Sequence, residues 1–358
     1  MKSPQKYQAL GLMSGTSLDG LDLALVEFTA GNPWSFRLRE AATLAYSRDW
    51  KRHLETAHQL PGPELINLHS AYGSFLGKAC MKFLKQKRIS RVDLIASHGH
   101  TIFHQPQNGF TFQLGDGSAI HAITGVPVVY DFRSLDVHLG GEGAPLVPIG
   151  DRYLFSMADV CLNLGGIANL SMEVNRRRTA FDICFCNMAL NHLMKEIGKT
   201  FDHNGRVASR GKVNAALLAK VDIAYRAVRK KRLSLGREYF ESAIQPLLDK
   251  DEIPHADRLR TVCESVAMEI GKAVPKSTKR LQLLVTGGGA RNGFLVELLQ
   301  RQLMHRATVV LPSDDIIDFK EAIIFAFLGV LRLRNEVNVL SSVTRARRDS
   351  SSGVLVGI

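Results

Sequence analysis

The chain predicts an α/β protein built as two similar halves. Apolar runs of strand length alternate with stretches of helical periodicity, which is the grammar of a sheet covered by helices. A strand, a glycine turn and a second strand open the chain and return near residue 165. The two glycine turns stand 150 residues apart, about one domain length.

In order, Gln8–Met13 and Leu21–Phe28 flank the turn Ser14-Gly-Thr-Ser-Leu-Asp-Gly20 and read as a hairpin, with Phe36–Tyr46 extending the sheet. Pro63–Lys87 places Leu65, Leu68, Tyr72, Phe75, Leu76 and Ala79 on one helical face. Val92–Ser97 and Phe110–Leu114 read as strands, Asp116–Thr124 as a helix and Val126–Tyr130 as a strand. The second half repeats the opening as Val160–Leu164, the turn Gly165-Gly166 and Ile167–Met172. Helices follow near Asn187–Ile197, Lys212–Lys220, Arg237–Leu248 and Asp257–Val274. The strand Leu281–Thr286 then enters the turn Gly287-Gly288-Gly289, followed by a helix from Asn292 and a last one over Phe319–Arg334. No low-complexity linker marks the boundary, which falls between Asp131 and Asp159.

Composition narrows the function classes. With 45% apolar and 22% charged residues among 358, the chain can bury two cores. Its longest apolar run, Ala322–Leu331, is far short of the roughly 18 residues a membrane span needs, and the N-terminus lacks an apolar signal core. A cytoplasmic protein with no membrane partner is expected. Five scattered cysteines without a C-x-x-C pair suggest reduced thiols. The net charge of +12 favours anionic ligands, but the basic runs at 176–178, 229–232 and 345–348 carry no interleaved aromatics, so nucleic acid is not the expected partner.

Three glycine turns suit a nucleotide, because small residues let phosphates approach exposed backbone N–H groups. They are Gly15-Thr16-Ser17-Leu18-Asp19-Gly20, then Asn163 with Gly165, Gly166 and Asn169, and lastly Gly287-Gly288 leading to Asn292. Each alone would equally serve as a tight turn. Neither a P-loop nor a dinucleotide fingerprint is present. Asp19 and Asp22, on or beside the first turn, have the hard oxygens that suit Mg²⁺ or a local turn hydrogen bond. Asp182 stands between Thr179–Phe181 and the helix near Asn187, where it can cap that helix or act as a general base. His98, His100 and His104 lack a downstream metal-ligand pattern and read as structural or substrate-binding. Cys184 and Cys186 read as buried small hydrophobes. Arg133 offers a fork to a carboxylate or a salt bridge between domains.

Taken together, Gly11-Leu-Met-Ser-Gly-Thr-Ser-Leu-Asp-Gly20, Ser97-His-Gly-His-Thr101, Gln113-Leu-Gly-Asp-Gly117, Asp131-Phe-Arg133, the segment 140–145, Leu162-Asn-Leu-Gly-Gly-Ile-Ala-Asn169, Thr286-Gly-Gly-Gly-Ala-Arg-Asn292 and Lys320-Glu-Ala322 resemble the anhydro-N-acetylmuramic acid kinases. That family lies in the superfamily of sugar kinases, chaperone ATPases and actin. The resemblance implies two ribonuclease-H-like domains, 1–135 and 136–335, with 336–358 packing on the first and the nucleotide in the cleft. It implies ATP- and Mg²⁺-dependent opening of 1,6-anhydro-N-acetylmuramic acid to the 6-phosphate, in cell-wall recycling. A nucleotide-binding sugar sensor, or a kinase for another anhydro sugar, is the second class, and a homodimer is compatible with the sequence. Asp182 matches the family's water-activating aspartate. Residues 15–22 match its phosphate and metal segment, with Asp19 toward Mg²⁺, while His98, Asp131, Arg133 and Glu321 fall in substrate motifs. Where the family follows its aspartate with Thr-Gly-Pro-Gly-Asn, this chain has Ile183-Cys-Phe-Cys-Asn187, which predicts added bulk beside the sugar.

Overall fold

The computed structural model describes residues 5–15, 18–232, 234–250 and 252–358. The chain forms two compact units, Met1–Ser156 with Phe319–Ile358, and Met157–Asp318.

In the first unit, β1 (Lys6–Ser14), β2 (Gly20–Thr29) and β3 (Ser35–Ala45) form an antiparallel meander. Parallel β4 (Leu94–Ser97) and β7 (Val128–Tyr130) extend it on the other side of β1. The final strand β13 (Val354–Val356) closes that edge against β7, and a ribbon of β5 (His100–Gln105) and β6 (Phe110–Leu114) stands apart from the sheet. Helices α1 (Arg48–Thr56), α2 (Gly62–Gln86) and α3 (Gly117–Thr124) precede the short α4 (Ser134–His138) and α5 (Pro148–Leu154). Asp116 caps α3 by accepting the Ser118 N–H, and Gly125 ends it in the left-handed region.

In the second unit, β8 (Val160–Leu164), β9 (Ile167–Val174) and β10 (Arg177–Phe185) repeat the antiparallel meander. Parallel β11 (Leu281–Thr286) and β12 (Ala307–Val310) again lie beyond its first strand. Its helices begin with α6 (Asn187–Lys195) and α7 (Ala215–Lys231). Short α8 (Arg237–Tyr239) and α9 (Gln245–Leu248) precede α10 (His255–Ala273) and α11 (Gly293–Leu303). The strand orders, β3-β2-β1-β4-β7 and β10-β9-β8-β11-β12, match strand for strand in sequence and direction. Each is the ribonuclease-H-like pattern. The expected single helix over 237–248 is instead two helical pieces joined by a π-helical stretch, Phe240–Ile244; Pro246, lacking an N–H, stands in the first turn of the second.

The observed division differs from the expected 135/136 and 335 boundaries because buried groups in the connecting segments find their partners in the first unit. Asp136 accepts the Gly143 N–H (2.8 Å) and the Thr344 hydroxyl (2.7 Å), and Asp151 pairs with Lys320 at 2.7 Å. Lys320 belongs to α12 (Asp314–Leu333), whose backbone lies so close to β1 that a Cβ at Gly11 would sit 1.9 Å from the Ala322 carbonyl oxygen. The last helix, α13 (Ser341–Thr344), carries the Thr344 that holds Asp136.

Candidate functional site

Register builds the second unit's site. Thr286 of β11 pairs with Asn163 of β8, Asn163 with Asn169 of β9, and Asn169 with Asp182 of β10. Residues paired across a ladder share a face, so four polar side chains form one row across four strands. Sequence reasoning grouped Asn163 and Asn169 in one glycine turn and took Asp182 apart from them. It missed Thr286 as a member of the row, and only strand pairing shows that the four align.

The glycine turn above this row is clasped by main chain. Cys186 N–H and Met188 N–H donate to the Gly166 carbonyl, and Asn187 N–H to that of Gly165. The Asn187 side chain donates to the Leu164 carbonyl at 3.0 Å. Gly287, at φ +81°, meets the same turn, and a Cβ there would come within 2.4 Å of Asn163 Oδ1. Asn163, Gly165, Gly166, Gly287 and Gly288 are therefore brought together with Asn187, which the sequence reading noted only for its place in the motif. Asn292 has a different duty: its side chain accepts the Leu295 N–H at 3.1 Å and caps α11.

Asp182 does not cap α6. It lies inside β10, at a bulge between Asp182 and Cys184, and Oδ2 accepts the Leu235 N–H at 2.9 Å. It lines a surface pocket with Phe181, Arg229, Arg232, Glu269 and Lys272. Of the tetrapeptide after it, Ile183 also lines this pocket. Strand β10 continues to Phe185, and Ile183, Cys184, Phe185 and Cys186 all sink into the second unit's core. Phe185 packs on Phe240 with ring centroids 5.2 Å apart, and its N–H donates to the Tyr225 hydroxyl. Burial pushes the Cys186 thiol up to about 12 and the Cys184 thiol well above its ordinary value, so both are inert hydrophobes at neutral pH.

The first unit gathers the substrate-motif residues. Arg133 donates from Nε (3.1 Å) and Nη2 (2.8 Å) to His98 Nε2 and from Nη1 (2.6 Å) to the Gly143 carbonyl. With Nε2 accepting, His98 carries its proton on Nδ1, which donates to the Gly99 carbonyl at 2.9 Å. Both nitrogens of His98 are thus engaged. Burial drives the His98 pKa well below its ordinary value, and the Arg133 charge adds to this. Burial also lowers Arg133 to about 10, opposed by the charges of Glu321 and Asp136, so it stays cationic at neutral pH. Glu321 reaches solvent yet is crowded by protein. Desolvation raises its pKa, against the pull of Arg133 and Lys320. Asp131, at φ +51°, accepts from the Ser134 hydroxyl at 2.6 Å.

At the first glycine turn, Thr16 and Ser17 lie outside the described residues. Gly15 and Leu18 are tied by the Leu18 N–H to the Gly15 carbonyl (3.3 Å), and Gly20 already belongs to β2. Asp19 is an exposed carboxylate, whereas Asp22, inside β2, accepts the Thr43 hydroxyl at 2.6 Å. Among the described residues, the one metal-sized grouping of His and carboxylates is His192, Glu196 and Asp249. Its Glu196 is already forked by Arg258.

A family model described as anhydro-N-acetylmuramic acid kinase matches residues 7–357. The chain belongs to the anhydro-N-acetylmuramic acid kinase family. The family's kinase from Vibrio vulnificus (strain CMCP6) is 35% identical over 362 residues, covering 97% of each chain. The one from Gloeobacter violaceus is 37% identical over 371 residues, covering 95% of this chain and 96% of its own. Among solved structures, a xylulose kinase from Lactobacillus acidophilus is similar at 9% identity and TM-score 0.43, covering 90% of this chain and 89% of its own. An activator of 2-hydroxyisocaproyl-CoA dehydratase from Clostridium difficile is similar at 13% identity and TM-score 0.43, covering 90% and 94%. Among the described residues, no helix of this family member is long and apolar enough to cross a membrane.

Proposed function

We propose that the protein is an ATP-dependent kinase that opens 1,6-anhydro-N-acetylmuramic acid and phosphorylates O6, giving N-acetylmuramic acid 6-phosphate and ADP. The family match over residues 7–357 carries this reading. Asp182 takes a proton from water as the water oxygen attacks C1. The bond from C1 to the bridging oxygen breaks, and that oxygen, now O6, receives the γ-phosphoryl group. The anchoring of Asp182 by the Leu235 N–H supports a fixed base, which a near-attack geometry requires.

Asp131, Arg133 and Glu321 hold the sugar, and His98 positions Arg133 by accepting its Nε/Nη2 edge. Gly15 to Gly20, with Asp22, and the cluster of Asn163, Gly165, Gly166, Gly287 and Gly288 receive the phosphates. Asp19 fits Mg²⁺ in donor type, an exposed carboxylate oxygen at that turn. When bound, the ion neutralises phosphate charge. The reading is tested by ADP release, expected only when ATP, Mg²⁺ and the anhydro sugar are all present; rapid ATP turnover indifferent to the sugar would overturn it.

A further inference from the structure

The sheet of the second unit has two ends. The turn Gly165-Gly166 stands at one; at the other the chain enters β8, β11 and β12 and turns from β9 into β10. Val160 pairs there with Met172 and Leu283, and Leu281 with Ala307, so these crossings share one level. The Leu281 N–H donates to the Arg306 carbonyl just ahead of β12. Much of the chain's net charge collects at this end. Segments 157–159, 173–178, 275–280 and 304–306 hold seven Lys or Arg against two carboxylates, a net +5 of the chain's +12.

Both carboxylates are already engaged. Asp159 accepts from Lys279 Nζ at 2.6 Å and from the Gln282 N–H at 2.9 Å, and Glu173 lies 3.9 Å from Arg178. Arg176, Arg177, Lys276, Arg280 and Arg306 have no ion pair among the described residues, so five like charges repel one another with nothing in the unit to offset them. Among them stand three apolar side chains that the core does not take up: Met157 is 93%, Met304 55% and Val174 43% exposed. In the strand order β12-β11-β8-β9-β10 the two kinds alternate. Met304 precedes β12, Lys276 and Arg280 precede β11, Met157 precedes β8, and Arg176 lies in the turn after β9. Four strand spacings make this row about 19 Å wide.

We propose that this end of the second unit docks on an anionic phospholipid surface. The unpaired cations meet lipid phosphates, and Met157, Val174 and Met304 enter the apolar side of the interface, the two signals that together hold a protein on a bilayer. The expectation of no membrane partner came from the lack of a spanning segment, and lying on a bilayer requires none. Nucleic acid fits this end less well, because the four segments contain no Phe, Tyr or Trp on which bases could stack. A second copy fits less well again, since it would set five unpaired charges against five more. The turn Gly165-Gly166 lies at the opposite end of β8 and β9, so docking leaves it open, and the surface is independent of the kinase reading.

Cosedimentation of the full-length protein with vesicles tests this. At about 0.1 M salt, where charges act over about 10 Å, vesicles of phosphatidylcholine with about one third phosphatidylglycerol should carry the protein down, and phosphatidylcholine alone should not. Arg176→Gln combined with Arg280→Gln should weaken binding about 25-fold, roughly fivefold for each charge, and Met157→Ser should weaken it several-fold without any change of charge. Lys82→Gln combined with Lys85→Gln, which removes as much charge from the exposed side of α2 in the first unit, should bind like the wild type. The melting temperature of each variant checks its fold. Failure of the wild type to bind phosphatidylglycerol vesicles overturns the proposal, and so does an equal loss in the α2 variant, which would make the attraction one of net charge alone. Tighter binding to duplex DNA than to the vesicles, or a dimer that the paired arginine variant disperses, would give the surface to another partner and overturn it as well. Should the paired variant not fold, the lipid contrast of the wild type and Met157→Ser still decide.

Discussion

Two residues before the first glycine of each hairpin turn, the two sheets can be compared at the same level. In the first unit the row reads Met13, Asp22, Thr43; in the second it reads Asn163, Asn169, Asp182. The strands and their directions are the same, but the carboxylate has moved from the middle strand to the outer one. On the middle strand Asp22 is met by a hydroxyl 2.6 Å away, whereas Asp182 sits at a bulge, is held by a loop N–H and opens onto a pocket. A repeated scaffold thus fixes where a polar row stands, and single substitutions along the row decide what it does. The turns differ in the same spirit: side chains wire the end of β1, and main chain clasps the end of β8.

The largest expected effect comes from the outer strand. Asp182→Asn should lower kcat by about 10²–10⁴-fold with little change in ATP affinity, the range for losing a general base, as steady-state kinetics would read. Retention of wild-type kcat would make Asp182 a structural residue and erase the contrast with Asp22.

Next comes acid. His98 and His100 are buried and held below their ordinary pKa, His100 at about 4, while the second unit has no buried histidine among the described residues. Between about pH 6.5 and 4 the unfolded chain binds protons that the folded first unit refuses. The stability of that unit therefore falls as pH drops through this window, by at most about 3 kcal/mol from His100. Hydrogen exchange at pH 7 and pH 5 should show protection lost in β1, β4 and β5 ahead of β8, β9 and β11; equal loss in both units would refute the assignment. The smallest effect is expected from Asp22→Asn. This variant should raise KM for ATP several-fold and keep kcat within about tenfold, because the role we propose for its carboxylate is at the phosphates rather than at the reacting carbon. A collapse of kcat matching that of Asp182→Asn would make the two rows equivalent.

The hairpins β1–β2 and β8–β9, the helix α2 and the strand β11 were legible because each is a local pattern: period-2 or continuous apolar runs bounded by glycine, or a helical stripe. Strand β10 was not, since Arg177 and Arg178 open it as a basic run and the bulge after Asp182 breaks the alternation that would mark the strand. The first domain boundary, at 156/157, falls inside the expected 131–159 interval, but its exact place and the passage of 319–335 to the first unit escaped, because Asp136 and Asp151 pair with Thr344 and Lys320, which lie more than 160 residues further along the chain.

The discontinuity of the first unit bears on how the protein is made. Residues 157–318 leave the ribosome as one uninterrupted stretch and hold every strand of their sheet. Strands β1 to β7, although synthesised earlier, must wait for α12 to cover Gly11 and for β13 to pair with β7. The half translated first is therefore finished last. In the interval its β7 edge and the apolar face beneath α12 are exposed, which marks them as the surfaces a nascent-chain chaperone would have to shield.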